Sequence, residues 1–175
     1  YKVFIICIFM LSAIALFSGC NNQKEEKDVH NAVTTFFSAY KQESYREIDR
    51  HLFSGKLTKL LDQAVAREKR ETEIVLNSDY PTDKPFMLDF DIFTSMIDGA
   101  DSVRILQTSI NADTALVDVM FINSGYNSKL EWNDHLVFIK NQDWKLDNVI
   151  YGEKNTAFKN IQDLLEDYIY AENTY

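Results

Sequence analysis

The chain has 175 residues, of which 46% are hydrophobic and 13% aromatic, with five glycines and two prolines. This composition excludes a disordered, low-complexity or collagen-like chain and predicts one compact folded domain. The 27 acidic residues outnumber the 18 basic ones and give a net charge of -9. That charge excludes a nucleic-acid binder, because neutralising phosphates requires a basic surface.

The first 19 residues are predicted to be a bacterial secretion signal. Lys2 precedes an apolar run from Val3 to Phe17, which is shorter than the roughly 20 residues of a membrane-spanning helix and ends in small residues. The ending, Leu16–Cys20, resembles the lipobox of bacterial lipoproteins, in which the cysteine at the cleavage site receives diacylglycerol. An ordinary signal peptide is the alternative.

Cysteine usage predicts a domain without disulfides. Cys7 would leave with the signal and Cys20 would carry the lipid, so no disulfide could form within one mature chain. Cleavage before Cys20 would leave 156 residues with a net charge of -10, because Lys2 is also removed. The hydrophobic core must therefore stabilise the domain by itself.

The polar stretch after Cys20, residues 21–27, has no apolar side chain to pack and predicts a flexible tether from the membrane. Its Lys24-Glu25-Glu26 triplet resembles the short export signal that sends some bacterial lipoproteins to the outer face of the outer membrane. Surface display and an anchor that faces the periplasm both stay open. The predicted organisation has three parts: a signal peptide at 1–19, a tether at 20–27 and a single α+β domain at 28–175.

The first half of this domain is predicted to be helical, because its apolar residues recur at spacings of three and four. We expect three helices: one at 28–40 with Asp28 as its N-cap, a short one over Ser44–Phe53, and one that begins after Ser54-Gly55. The mixed charges of Arg67–Glu73 predict an exposed helix face stabilised by ion pairs. Turn-forming residues between Asn77 and Pro85 end this half.

The second half predicts four strands joined by short links, which make an antiparallel meander. The strands are expected at Val103–Asn111, Thr114–Asn123, Leu130–Asn141 and Trp144–Tyr151, with a closing helix over Asn155–Ala171. Both faces of the second strand are mostly apolar, since Val117 and Val119 alternate with Leu116 and Met120. A sheet with one solvent-exposed face would carry polar residues on that face. The second face is therefore covered, lines a cavity or meets another subunit.

Three aromatic and apolar segments carry a resemblance to a known family. Phe36–Tyr40, Leu88–Phe93 and Trp144–Val149 resemble the bacterial lipoproteins grouped as domain of unknown function 3828, within the nuclear transport factor 2-like superfamily. The resemblance covers Asp28 to Gly152. It implies an α+β, cystatin-like fold in which N-terminal helices precede a curved four-stranded meander and a C-terminal helix. It implies no chemistry.

Asp118 is the first candidate site residue, because it interrupts the second apolar face of its strand. In a cavity its carboxylate could act as a general base on a carbon acid, as in the steroid-isomerase branch of the superfamily that the chain resembles. A solvated or hydrogen-bonded aspartate is the alternative. His135 lies on the strand face opposite to its neighbour Asp134, so these two cannot form a dyad directly.

Aromatic residues near a hairpin supply further candidates. Tyr126 and Trp132 flank the turn between the second and third strands, where their rings could hold a sugar or a peptide. Packing in the core or at a strand edge is the alternative for Trp132 and Trp144. The candidate ligand-binding residues are Asp118, Met120, Tyr126, Trp132 and His135.

No motif predicts a metal, a cofactor or catalysis. The three histidines lack ligand spacing, and an EF-hand loop starting at Asp89 would place Phe93 and Thr94 where it needs an oxygen ligand and a glycine. A nucleophile elbow, a phosphate loop and a Ser-x-x-Lys motif are all missing from the sequence. We therefore expect no cofactor, no metal site and no enzymatic activity.

The leading expectation is a cell-envelope lipoprotein of the outer membrane that binds a small molecule or a protein. Its partners would be the membrane, through the lipid on Cys20, an unidentified ligand, and a second copy that pairs through the sheet. One alternative is an envelope inhibitor or immunity-type protein whose acidic surface blocks a cationic enzyme. The other is a cavity enzyme that uses Asp118.

Overall fold

The computed structural model describes residues 22–40, 44–89, 91–125, 129–152 and 157–172. The predicted signal peptide and Cys20 lie outside them. In the described chain the elements are helix α1 (residues 22–40), a 3-10 turn (Arg50–Leu52), helix α2 (Gly55–Leu76), strands β1 (Ser102–Asn111), β2 (Thr114–Asn123), β3 (Leu130–Asn141) and β4 (Asp143–Ile150), and helix α3 (Ile161–Tyr170). The fold class is α+β, as predicted.

The four strands form one antiparallel sheet in the order β1-β2-β3-β4. Every predicted strand is present, and the observed ends lie within one residue of the expected ones. Tight turns join β1 to β2 and β3 to β4, and Ala112 and Gln142 take positive φ angles there. The predicted meander is therefore confirmed.

The helices pack on one side of the sheet, which we call the inner face. Along β2, Val117, Val119 and Phe121 point to this face and are fully buried. The ring of Phe37 on α1 lies 5.3 Å from that of Phe121, and Leu57 at the start of α2 belongs to the same buried cluster. This cluster of aliphatic and aromatic side chains forms the core.

The structure corrects the predicted start of the first helix. Residues 22–27, predicted as a flexible tether, are helical, so Asp28 lies inside α1 and is not its N-cap. Lys140 on β3 donates to both carboxylate oxygens of Glu25 at 2.6 Å. This ion pair attaches the polar start of the helix to the sheet, a long-range contact that a local sequence pattern cannot show.

The helix predicted over 44–53 is also wrong, because the segment holds only a single hydrogen-bonded turn at 44–48 and the 3-10 turn Arg50–Leu52. The Asp49 carboxylate accepts a backbone N–H of that turn at 2.9 Å. The guanidinium of Arg50 donates to the carbonyl of Tyr45 at 2.9 Å, so a side chain satisfies this backbone acceptor. The turn ends where Ser54 caps α2, and the helix begins at Gly55, one residue before its predicted start.

The charged end of α2 is not the exposed face that its sequence predicts. Arg67 is 4% exposed, and Glu71 one turn later is also buried. The Arg67 guanidinium donates to the carbonyls of Ile169 and Ala171 at 2.8 and 2.9 Å. These acceptors belong to the C-terminal end of α3, where helical carbonyls lack partners of their own. Arg67 therefore ties α2 to α3.

Glu68, beside Arg67, is buried for a similar reason. Its carboxylate accepts hydrogen bonds from the Arg46 guanidinium at 2.5 and 2.9 Å, from the Tyr45 hydroxyl, and from the backbone N–H of Leu88 at 3.2 Å. The partners come from segments before and after α2. Glu68 thus connects the helix to both loops that flank it.

The last helix begins later than predicted. α3 starts at Ile161 instead of Asn155, and residues 157–160 are not helical. Asn160 is the N-cap, and its side-chain oxygen accepts the backbone N–H of Asp163 at 3.0 Å. The cap fixes the start because its extended backbone cannot continue a helix towards the N-terminus.

Candidate functional site

The second face of the sheet, which we call the outer face, carries the candidate residues. Burial alternates along β2 and β3, so the side chains of the inner face are buried and most of the others are half-buried or exposed. The outer-face residues of these strands are Leu116, Asp118, Met120, Ile122, Glu131, Asn133, His135, Val137 and Ile139. Ile122 is buried, but neither it nor the other apolar residues of this set belong to the core that packs against the helices.

Apolar side chains stay accessible on this face. Leu106 on β1, Leu116 on β2 and Ile150 on β4 are 48%, 39% and 37% exposed. Leu106 lies at a β-bulge, where the pairing of β1 with β2 shifts by one residue. The three side chains come from three different strands, so the exposed apolar area spans the width of the sheet.

The strand register brings Asp118 and His135 together at the centre of this face. The two residues are direct cross-strand partners in the pairing of β2 with β3. His135 Nδ1 lies 2.6 Å from Asp118 Oδ1, and the side chains are 43% and 35% exposed. The sequence assigned each residue to a face of its own strand, and the register shows that the two strand faces are the same face of the sheet.

This geometry determines which nitrogen of the imidazole is available. A carboxylate only accepts hydrogen bonds, so Nδ1 donates to Asp118 and Nε2 is the ring nitrogen that lies outside the pair. Ile150 on β4 lies directly opposite His135. The pair can therefore offer one oriented hydrogen-bonding group within an apolar surface.

The expectation that Asp118 occupies a cavity is wrong. More than a third of its side chain is exposed, and its strand neighbours on the outer face, Leu116 and Met120, leave it open to solvent. General-base catalysis at this position would need a water-excluded site that raises the pKa of the carboxyl group. The open face does not provide one.

The other candidate residues lie on different faces of the sheet. Met120 lies on the outer face beside Asp118 and is half-buried. Trp132 lies on the inner face, where it is 4% exposed, packs 5.6 Å from the ring of Phe121 and donates its indole N–H to the carbonyl of Thr94 at 2.7 Å. Trp132 is a core residue, which corrects its assignment as a ligand contact. Tyr126 lies outside the described residues.

The inner side of the sheet holds a fully buried acid that the sequence did not single out. Asp134, next to His135 but on the opposite face, accepts the backbone N–H of Gly152 at 2.7 Å. Burial raises the pKa of Asp134 to about 6, against the lowering effects of the Ser95 hydroxyl and Gly152. The only sequence signal that could have predicted its burial was its position on an apolar face of β3.

A second acid, Asp91, organises the loop before β1. One of its oxygens accepts the backbone N–H groups of Phe93 and Thr94 at 2.9 and 3.1 Å. Burial raises the pKa of Asp91, while the Tyr40 hydroxyl acts in the opposite direction. Gly99, with a φ of 65°, passes so close to the other oxygen that a side chain there would collide with it. These contacts explain Asp91 as a structural residue.

The described part of the chain holds neither clustered metal ligands nor a membrane-spanning helix. It contains no group of three or more histidine, cysteine or acidic side chains placed to hold a metal ion. None of its helices combines the length and the apolar character needed to cross a membrane.

Comparison with protein-family models, with curated proteins and with solved structures finds no match to this chain. The outer face of the sheet and the end of the fold at which α1 begins are therefore the features from which a function can be inferred.

Proposed function

We propose that the protein is a non-catalytic lipoprotein of the bacterial cell envelope that binds a protein partner through the outer face of its sheet. A cystatin-like fold of the nuclear transport factor 2-like type and a lipid anchor on Cys20 are parts of this proposal. The observation that carries it is the outer face itself, with accessible apolar side chains around the Asp118–His135 pair.

The charge of this face supports a docking role. The whole chain has a net charge of -9, yet the outer face of the four strands carries two basic side chains, Arg104 and Lys145, against three carboxylates, Asp118, Glu131 and Asp143. Depletion of net charge and enrichment of apolar side chains are typical of the centre of protein interfaces. The rest of the acidic surface keeps unrelated molecules apart.

The size of the face also fits a protein partner. Four strands about 4.8 Å apart and about 34 Å long present roughly 650 Å². A standard interface buries about 800 Å² on each partner, so the sheet with its rim reaches that size. A small molecule would need a concave site instead, and a sheet face is too open for one.

The experiment compares two matched double variants of the mature chain. Leu116→Glu with Ile150→Glu places charges on the outer face, whereas Ile74→Glu with Leu76→Glu does so at exposed apolar positions of α2. Each protein is used to capture partners from envelope extract of the source bacterium. We expect the first pair to lose its specific partner and the second to retain it.

Analytical ultracentrifugation of the same proteins tests whether the chain forms a homodimer. A dimer that the Leu116 and Ile150 substitutions dissociate would identify the partner as a second copy. Equal capture by both double variants, without self-association, would overturn the proposal. Metabolic labelling with palmitate tests the anchor, and Cys20→Ala should abolish the label.

A further inference from the structure

Two tight turns of the sheet lie side by side at one end of the fold. One joins β1 to β2 at residues 111–114, and the other joins β3 to β4 at residues 141–143. The backbone N–H of Lys140, just before the second turn, donates to the carbonyl of Asp113 in the first at 2.8 Å. The two turns therefore form one continuous surface.

Helix α1 begins at the same end. The Glu25 carboxylate is ion-paired with Lys140, beside the second turn. Asn22 and Glu26 lie against Ile110, beside the first turn. These contacts place the first residues of α1 at the level of both turns. We call the surface formed by residues 22–24, 111–114 and 141–143 the hairpin end.

From the hairpin end, α1 runs antiparallel to β1 towards the other end of the sheet. His30 Nε2 lies 2.9 Å from the hydroxyl oxygen of Thr108, in the second half of β1. Two turns later, the ring of Phe37 lies 5.3 Å from that of Phe121, which pairs with Val103 at the start of β1. The chain that precedes α1 must therefore leave the fold at the hairpin end.

The connection from this point to the proposed lipid anchor is short. Only Asn21 stands between Cys20 and Asn22, the first described residue of α1. Two peptide steps span at most about 7 Å. A diacylglycerol group on Cys20 would insert its acyl chains into the bilayer, so the hairpin end would be held close to the lipid headgroups. The ion pair of Glu25 with Lys140 keeps the start of α1 from separating from the sheet.

The chemistry of the hairpin end is compatible with contact to headgroups. Its exposed side chains are mostly uncharged amides: Asn22, Gln23, Asn111, Asn141 and Gln142. Its charged side chains are one lysine and two aspartates, so most of the chain's net charge of -9 lies elsewhere. Amide groups donate and accept hydrogen bonds, and a nearly neutral surface is repelled little by anionic lipids. The end has no large apolar side chain that would enter the hydrocarbon region.

We propose that the hairpin end faces the lipid headgroups, with the strands extending away from the membrane. This orientation rests on the lipid anchor of the proposed function and adds the surface that the anchor brings to the bilayer. Because the strands are about 34 Å long, the whole outer face lies within about 40 Å of the bilayer and points along its surface. The protein partner must therefore reach this zone next to the membrane.

Two cysteine substitutions at opposite ends of β2 test the orientation. Asp113→Cys precedes the strand at the hairpin end, and Ser124→Cys follows it about 34 Å away, both at exposed positions. Once Cys7 has left with the signal and Cys20 carries the lipid, each variant has one free thiol for a fluorophore. The lipidated proteins are placed in phosphatidylcholine vesicles whose headgroups carry a nitroxide quencher. We expect the first fluorophore to be quenched and the second to keep its vesicle-free intensity.

A matched pair of charge reversals tests the role of the ion pair. Glu25→Lys places a second cation beside Lys140 and should detach the start of α1, which lengthens the flexible connection to 21–27. Glu26→Lys makes the same charge change one residue later, at an exposed position. With the fluorophore at Asp113→Cys, we expect Glu25→Lys to lose most of the quenching and Glu26→Lys to retain it.

Flotation of the same vesicles separates two kinds of failure. A protein that does not float with the vesicles, or that floats equally well after Cys20→Ala, overturns the anchor together with the orientation that rests on it. A protein that requires Cys20 to float, but whose two fluorophores are quenched equally, overturns the orientation alone. Equal quenching in the two lysine variants also overturns it, because the ion pair would then not hold the hairpin end to the bilayer.

Discussion

The two faces of the sheet use the same strands for different purposes, and two aspartates show the difference. Asp134 on the inner face is fully buried, and burial raises its pKa to about 6. Asp118 on the outer face is one-third exposed and pairs with His135. The inner carboxylate costs stability when it ionises, whereas the outer one remains available to a partner. Burial therefore distinguishes a structural aspartate from the aspartate that we propose for recognition.

The largest expected effect contrasts one apolar residue from each face. Phe121→Ala should lower the free energy of unfolding by about 3 to 5 kcal/mol, because it leaves a cavity among the rings of Phe37 and Trp132. Leu116→Ala should change it by less than about 1 kcal/mol. Denaturation with guanidinium chloride measures both, and similar losses would contradict the distinction between the faces.

A second variant extends the contrast to α2, where buried and exposed charges alternate. Arg67→Met should destabilise the fold by about 3 kcal/mol, because the α3 carbonyls and Glu71 lose a buried cation. Arg70→Met, three residues along the helix and exposed, should cost less than about 0.5 kcal/mol. Thermal unfolding followed by circular dichroism distinguishes them. An equal fall in melting temperature would show that Arg67 is not a tertiary contact.

A fall in pH should stabilise the folded protein through Asp134 on the inner face. The folded pKa of Asp134, about 6, lies above the ordinary value of 3.8, so the folded state binds a proton that the unfolded state has already released. This contribution is fully present below pH 3.8 and is lost as the pH rises through 6. The protein should therefore gain about 1 kcal/mol from this group on going from pH 7 to pH 5.

Asp134→Asn isolates that contribution. The amide keeps the acceptor for the Gly152 N–H but cannot ionise, so the variant should show a stability that varies less between pH 5 and 7. Urea denaturation at several pH values provides the measurement. An unchanged pH slope would assign the dependence to other groups, with Asp91 the next to test.

The smallest effect on stability is expected at the outer face. Asp118→Asn should change the free energy of unfolding by less than about 1 kcal/mol, because the pair with His135 is partly solvated. It should nevertheless weaken capture of the protein partner, since the amide no longer fixes the imidazole in one tautomer. A large loss of stability would instead place the pair among the structural contacts.

Local sequence patterns predicted a helix or strand correctly where one of its faces is buried along its whole length. The alternation from Thr114 to Asn123 predicted β2 to the residue, and the start of α2 was predicted to within one residue. Alternation along β3 placed His135 on the strand face opposite to Asp134, but it did not show that this face is also the face of Asp118. It also placed Trp132 with Leu136 and Phe138, so its burial in the core could have been anticipated.

Sequence patterns failed to predict the structure where a charged segment forms ion pairs or hydrogen bonds with residues far away in the sequence. Residues 22–27 are polar throughout, yet Lys140, more than 100 residues later, holds them in a helix. Arg67 and Glu68 look like solvated charges until the carbonyls of α3 and the side chain of Arg46 are placed beside them. Nothing in the adjacent sequence indicates such partners.

The sequence by itself determined the α+β class, the four strands with their order and faces, and the acidic balance, because these follow from periodicity and composition along the chain. Only the tertiary structure decided that Asp118 meets His135, that Trp132 is buried, and that residues 22–27 form a helix at the hairpin end. Register and packing bring together residues far apart in sequence, and the candidate sites depend on those long-range contacts.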